Sequence, residues 1–199
     1  NVTDIDSMFY NCKKLSSLNL VFDTENVERM NNTFYNCESL TSLYISNFNT
    51  QNVLTMSKMF YNCNSLTYLY LNGFNTQNVI DMEYMFYNCK SITALDLSHF
   101  NVQNVENMNY MFANCGALGE LKIQNFDTQN VKYMEHMFSN CTTLISLDLT
   151  SFNIENIENM EYMFYGCEAL KSLNLSNFYI HYSYFSNIKM DNMFYNCIQ

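Results

Sequence analysis

The sequence contains no proline and only four glycines among its 199 residues. A globular fold with many different turns normally needs more of both, because these residues supply the backbone angles of tight turns. Their scarcity indicates that one kind of turn is used many times. Long apolar runs are also missing, since no stretch approaches the ~18 consecutive apolar residues of a transmembrane helix. The sequence therefore predicts no insertion of this segment into a membrane.

Basic residues are scarce as well. Nine lysines and arginines stand against 19 aspartates and glutamates, which gives a formal charge of -10. This balance repels phosphate backbones and anionic lipid surfaces, so we expect no nucleic acid partner. The first residues, Asn1 to Asp4, lack the basic start and apolar stretch of a signal peptide. They match the interior of the repeat described next, so we expect the chain to be part of a longer protein.

The cysteines show an internal repeat. Their spacings are 25, then 26 five times, then 30. They lie at Cys12, Cys37, Cys63, Cys89, Cys115, Cys141, Cys167 and Cys197. All 14 methionines fall in two columns with the same step, as Met56 and Met59 illustrate. One unit cannot cover its own apolar face, whereas stacked units make a continuous core. The sequence therefore predicts residues 1–199 to be one solenoid domain of about seven and a half units.

The first half of each unit has the apolar spacing of a short helix. Val53, Met56, Met59 and Phe60 are spaced i, i+3, i+6 and i+7, which is a helical stripe of roughly two turns. Asn52 stands directly before this stripe, where an N-cap residue would lie. We therefore predict one short helix per unit.

The second half of each unit alternates like a strand with one buried face. Leu69 and Leu71 alternate with Tyr68 and Tyr70. Consecutive units would pair these strands in parallel, with the bulkier helices on the other side curving the stack. The predicted fold class is α/β, a solenoid of 26-residue strand–helix units with a parallel sheet on the concave side.

The residue before each cysteine indicates a special backbone angle. It is asparagine in seven units and Gly166 in the remaining one. Asparagine and glycine share little except tolerance of the left-handed backbone region. We therefore predict a positive φ angle at this position, at the C-terminus of each predicted helix.

The repeated motif resembles a known family. Residues 78–100, NVIDMEYMFYNCKSITALDLSHF, closely resemble the BspA-like leucine-rich-repeat surface proteins, and the resemblance covers the whole chain. It implies a leucine-rich-repeat fold on a bacterial protein that is extracellular or at the cell surface. It also implies adhesion to host extracellular-matrix proteins or to other microbial surface proteins. Phenylalanine replaces the usual ninth-position asparagine or cysteine of such repeats, as at Phe74. We expect the asparagine column, such as Asn52 and Asn78, to satisfy the turn backbone instead.

The sequence offers no pattern of catalytic or metal-binding residues. Stacked cysteines favour a buried ladder of thiols that pack as small hydrophobes, while disulfides and a metal site stay open as alternatives. His99, His136 and His181 occupy unrelated positions of the repeat, so we interpret them as solvated surface residues. We predict no enzyme activity, no catalytic residue, no cofactor and no metal site.

The variable outward positions of the strands give the candidate site. Tyrosine buries much area at low entropic cost and is a frequent binding anchor, although it also simply suits exposed strands. The predicted partner-binding residues are Tyr44, Tyr68, Tyr70, Asp96, Lys122 and Asp148. The hypothesis is a non-enzymatic protein-binding or adhesion module that uses its concave face. Two alternatives stay open, a passive stalk or spacer that projects another domain, and an enzyme built on the solenoid.

Overall fold

The computed structural model describes residues 2–21, 23–178 and 188–197. Its regular elements are seven strands of three residues each. They are β1 (Ser17–Asn19), β2 (Ser42–Tyr44), β3 (Tyr68–Tyr70), β4 (Ala94–Asp96), β5 (Glu120–Lys122), β6 (Ser146–Asp148) and β7 (Ser172–Asn174). The strands lie one repeat apart along the sequence, as the leucine alternation predicts. The irregular segment 178–190, in which the sequence leaves open a bulging loop, a damaged repeat or a partner contact, falls mostly outside the described residues.

The strands pair in parallel and in register with the equivalent residues of the next coil. They form three small sheets, of order β1-β2-β3, β4-β5 and β6-β7. A second row of single parallel bridges follows the opposite side of the coils without a break. It joins Asp4, Arg29, Thr55, Asp81, Asn107, Tyr133, Asn159 and Lys189 in that order. The described chain is therefore an all-β solenoid with two rows of parallel pairing.

The predicted helices are absent from the described residues, so the α/β fold class is wrong. Where a helix was predicted, the backbone makes consecutive turns. The Phe60 amide donates to the Met85 carbonyl of the next coil at 2.9 Å, and the Met59 amide donates to the Met56 carbonyl at 3.3 Å. An α-helix would instead bond each amide to the carbonyl four residues earlier. Asn52 is accordingly not an N-cap; its side-chain amide donates to the Glu25 carbonyl of the preceding coil at 2.8 Å.

The turns depend on two left-handed residues in each coil. In the third coil these are Lys58, with φ of 58°, and Asn62, with φ of 57°. A residue with positive φ cannot continue a right-handed helix, so each one ends a turn. The predicted positive φ before each cysteine is confirmed, including 70° at Gly166. Turns of this length bring buried side chains to one face at intervals of three and four residues, which is why they resemble a helix in the sequence.

We expect Asn88→Ala to lower the free energy of unfolding by about 2 kcal/mol. Asn88 has φ of 60°, and its side-chain amide donates to the Asn62 Oδ1 at 2.6 Å. Alanine loses this bond and tolerates the left-handed region poorly. Asn88→Gly loses the same bond without strain, so it should cost about 1 kcal/mol less. Urea unfolding measures both variants, with exposed Lys90→Ala as the control. Equal losses for alanine and glycine would contradict the role of the φ angle.

The core is a set of aligned columns that runs along the stack. Buried phenylalanine rings lie nearly parallel, with Phe34–Phe60, Phe60–Phe86 and Phe86–Phe112 centroids 5.6, 5.5 and 5.5 Å apart. The cysteines lie beside them as free thiols. Each described thiol from the second coil onward donates to a phenylalanine carbonyl of the preceding coil, as from the Cys63 Sγ to the Phe34 oxygen at 3.2 Å. The prediction of a buried thiol ladder is confirmed for the six inner cysteines, whereas Cys12 and Cys197 are half-buried.

The asparagine column also satisfies the turn backbone, as predicted. The side-chain amides of Asn78 and Asn104 donate to the carbonyls of Gln51 and Gln77 in the preceding coils, each at 2.7 Å. Every such bond ties one coil to the next. The stack is therefore held together at its turns as well as at its two rows of parallel pairing.

Candidate partner-binding surface

The outward side chains of β1 to β7 form one exposed surface, called here the strand face. In each strand the central leucine points inward to the core and the two flanking side chains point outward. Three of the outward side chains are large and apolar. Tyr44, Tyr68 and Tyr70 are 56%, 63% and 49% exposed. The alternation that predicted these tyrosines to face outward is confirmed.

The tyrosines occupy two rows on the strand face. Tyr44 lies opposite Tyr70 in the register, and their rings stack with centroids 6.1 Å apart and planes 14° apart. Tyr68 lies opposite Ser42 in the neighbouring row. The structure therefore brings the three predicted tyrosines onto adjoining strands, two as a stacked pair and one beside them.

A charged cluster follows on the next two strands. Lys122 lies opposite Asp96, and its Nζ is 3.4 Å from the Asp96 Oδ2 and 3.5 Å from the Glu120 Oε1. Hydrogen bonds from Ser98 and then the charge of Lys122 lower the pKa of Asp96. The hydrogen bond that Lys122 donates to Asp96, together with the negative charge of Asp96, raises the pKa of Lys122. Both groups are therefore charged at neutral pH. Glu120 was missing from the predicted site, although its outward position in the strand pattern could have identified it.

A break in the strand pairing lies between the tyrosines and the charged cluster. Among the described strands, no pairing joins β3 to β4 or β5 to β6. A cleft of about 400 Å³ lies over the first break, and its walls include Tyr68, Tyr70, Asp96, Glu120 and Lys122. Asp148 lies on β6, beyond the second break. Its Oδ1 accepts a hydrogen bond from the Thr150 amide at 3.0 Å. The structure thus brings four of the six predicted residues together in one cleft, adds Glu120 to them, and leaves the predicted Tyr44 and Asp148 outside it.

Comparison with known proteins gives the family. The DUF285 family, described as a Mycoplasma protein of unknown function, matches residues 1–95 and 91–199. These two matches together span the sequence. The chain belongs to the DUF285 family. A leucine-rich repeat protein from Bacteroides ovatus ATCC 8483 is similar at 15% identity, over 88% of this chain and 77% of that one, with a TM-score of 0.29. No curated protein matches the sequence.

Two aromatic stacks cover the turns of this DUF285 chain. One is a tyrosine column that recurs in the sequence, with ring centroids 4.6 to 4.7 Å apart between Tyr35, Tyr61 and Tyr87. The sequence suggests packing between helices for this column, whereas the rings stack on the turns. A second stack, which the sequence did not reveal, places His136 between Tyr110 and Tyr162 at 4.7 and 4.6 Å. Burial there lowers the pKa of His136. These stacks repeat from coil to coil, so we interpret them as structural.

The histidines of the DUF285 chain are less solvated than predicted. His136 is held in the aromatic stack, and its side chain is only 22% exposed. The His99 Nε2 is 2.9 Å from the Leu71 carbonyl of the preceding coil. His181 lies outside the described residues. Across residues 2–21, 23–178 and 188–197, no cluster of histidine, cysteine or acidic side chains could hold a metal ion. The same residues contain no helix long and apolar enough to cross a membrane.

Proposed function

We propose that this DUF285 chain is a non-enzymatic protein-binding and adhesion module that acts outside the cell or at its surface. The observation that carries the proposal is the concentration of three exposed tyrosines, Tyr44, Tyr68 and Tyr70, on two adjoining strands. The equivalent positions of β1 and β7 hold only serine and asparagine. The core columns recur because stacking requires them, whereas these outward positions vary from coil to coil.

The tyrosines suit contact with another protein. Each ring offers a large apolar surface and a polar hydroxyl, and few rotatable bonds are frozen on binding. On the free protein these side chains are 49–63% exposed, so a partner that covers them removes roughly half of their surface from water. The resemblance to BspA-like surface proteins supports a partner among host extracellular-matrix or other microbial surface proteins. The proposed site does not require a cofactor.

A passive stalk is the second candidate function. The unbroken row of bridges from Asp4 to Lys189 favours it, because such a row makes a stiff rod that could project another domain. A stalk needs length and solubility but no binding surface. The two functions therefore differ in whether the strand face binds anything.

We expect saturable binding of the chain to at least one member of a panel of purified matrix and microbial surface proteins. Replacing Tyr44, Tyr68 and Tyr70 together with alanine should weaken that binding roughly tenfold or more, since buried tyrosine anchors commonly contribute over ~1 kcal/mol each. Surface plasmon resonance on the immobilised chain measures both. The control is Leu54→Ala with Ile80→Ala, which removes two exposed apolar side chains, 43% and 48% exposed, from outside the strand face.

Three outcomes of this experiment separate the candidate functions. Loss of binding in the tyrosine variant but not in the control, with unchanged circular dichroism, would support the strand face. Absence of saturable binding across the panel would favour the stalk. Equal affinity of the tyrosine variant and the unaltered chain would remove the strand face as the binding site.

A further inference from the structure

We propose that the cleft between β3 and β4 recognises a lysine or arginine side chain on an extended segment of the partner protein. This inference rests on the proposed function and names the chemistry of its ligand. The cleft combines an open strand ladder, which favours the backbone of such a segment, with two tyrosine rings and two carboxylates, which favour its cationic side chain.

The floor of the cleft has backbone groups without a strand partner. In the coil before the break, the Thr67 amide donates to the Thr41 carbonyl at 3.0 Å. In the coil after it, the Gly119 amide donates to the Thr93 carbonyl at 2.9 Å. The equivalent bond from the Thr93 amide to the Thr67 carbonyl is not among the bonds of the described residues, and both residues line the cleft. Unpaired strand edges are the backbone groups to which extended peptides bind in other proteins.

The break is confined to the strand face. On the opposite side of the same two coils, the Met56 amide donates to the Asp81 carbonyl at 3.0 Å and the Ile80 amide donates to the Leu54 carbonyl at 2.9 Å. These bonds prevent the coils from separating enough to admit a whole strand, which needs about 4.8 Å more. The bound segment therefore lies across the outside of the cleft and reaches inward with its side chain and polar groups.

The walls of the cleft suit a cation. Carboxylates bind ammonium and guanidinium groups by charge-assisted hydrogen bonds, and tyrosine faces attract the same cations. The Lys122 ammonium already lies between Asp96 and Glu120, at 3.4 and 3.5 Å from their oxygens. An amine of the partner would meet the same two carboxylates, beside Tyr68 and Tyr70. The formal charge of -10 adds a long-range attraction for basic segments.

The presence of Lys122 makes the proposal testable by a gain of affinity. Lys122 neutralises part of the cleft, so it competes with the cation of the partner for the same carboxylates. Because the bridge is exposed, removing it with Lys122→Ala should tighten the binding of a basic segment by about two- to fivefold. If the partner presented a carboxylate instead, the same change would weaken binding.

The probes are three synthetic peptides of equal length, with Gly-Lys-Ser, Gly-acetyllysine-Ser and Gly-Glu-Ser repeats. We expect fluorescence anisotropy to show saturable binding of the lysine peptide that weakens with salt, and far weaker binding of the other two. Asp96→Asn with Glu120→Gln should lower the affinity for the lysine peptide by roughly tenfold or more. Glu155→Gln with Glu168→Gln removes the same charge from two exposed positions outside the strand face and should change the affinity by less than about twofold.

Three results would overturn the proposal. They are equal losses in the two double variants, a weakening by Lys122→Ala, and binding of free lysine amide as tight as that of the peptide. Measurements on a partner found in the protein panel separate this proposal from the proposed function. If the tyrosine variant loses that partner while Asp96→Asn with Glu120→Gln keeps it, the strand face binds without cation recognition. If both variants keep it, both proposals fail.

Discussion

Phe86→Ala should lower the free energy of unfolding by about 3–5 kcal/mol, one of the two largest effects we expect. Phe86 is fully buried and stacks on Phe60 and Phe112, with centroids 5.5 Å away on each side. Removing the ring leaves a cavity that the neighbouring coils cannot close, because coil-to-coil hydrogen bonds fix their spacing. Urea unfolding followed by tyrosine fluorescence and circular dichroism measures the loss.

Phe194→Ala is the matched control for this prediction. Phe194 belongs to the same phenylalanine column and stacks on Phe164 at 5.5 Å, but it is 46% exposed. It buries less apolar area and has a described stacking partner on one side only, so its loss should cost less than about half as much. Equal losses for Phe86→Ala and Phe194→Ala would contradict the continuous core. So would a loss below about 1 kcal/mol for Phe86→Ala.

Stability should fall steeply as the pH rises above about 9, which is the second large effect. Burial raises the pKa of the Cys115 thiol from its ordinary value of 9.0 to about 12, and it also raises the pKa of Cys63, Cys89 and Cys141. The folded chain keeps these protons at a pH where the unfolded chain loses them. The stabilisation is therefore complete below pH 9.0 and is lost as the pH rises through the folded values. Each buried thiol contributes a slope of about 1.4 kcal/mol per pH unit.

A serine variant separates the contribution of a buried thiol to the alkaline loss of stability from the contribution of the tyrosines. The pKa of Tyr84 is raised to about 12 by burial, and tyrosines of this kind add to the same alkaline loss. Cys89→Ser keeps a donor for the Phe60 carbonyl but has no proton to lose in this range. Urea unfolding at a series of pH values, under reducing conditions, should show a slope about 1.4 kcal/mol per pH unit smaller for this variant. An unchanged slope would show that the thiol is not shielded from water.

The repeat and its strands follow from the sequence, because both depend on side chains that alternate or recur. Leu69 and Leu71 must point to the core if their neighbours face water, and a fixed step places them over their equivalents in adjoining coils. The helix prediction fails for a physical reason. Buried side chains such as Met56, Met59 and Phe60 have the same spacing in consecutive turns as in a helix. A helix and a series of turns differ in which carbonyls accept the backbone hydrogen bonds. A side-chain pattern does not show which carbonyls these are.

The two left-handed positions of each coil differ in whether the sequence predicts their positive φ angle. The position before the cysteine admits only asparagine and glycine, so its positive φ could be predicted. The other position holds Lys58, Tyr84 and His136 in the third, fourth and sixth coils, with φ of 58°, 55° and 54°. Residues of such different kinds share no preference for the left-handed region. The surrounding coil-to-coil bonds impose the angle there, and the sequence gives no sign of it.

The candidate site could be predicted in its parts but not in its arrangement. Tyr68 and Asp96 were expected to face outward, and both are exposed. The break between their strands was not expected, since the repeat pattern continues unchanged across residues 67–97. Nothing in the side chains on either side of the break explains it. The cleft and the role of Glu120 in it therefore come from the structure alone.

The coils bond to one another where the sequence resembles a helix. The most direct test is the NMR scalar coupling across the hydrogen bond of the Phe60 amide, which identifies its acceptor carbonyl. The structure predicts coupling from the Phe60 nitrogen to the carbonyl carbon of Met85, in the next coil. Coupling to the carbonyl of Met56, four residues earlier as in an α-helix, would contradict it.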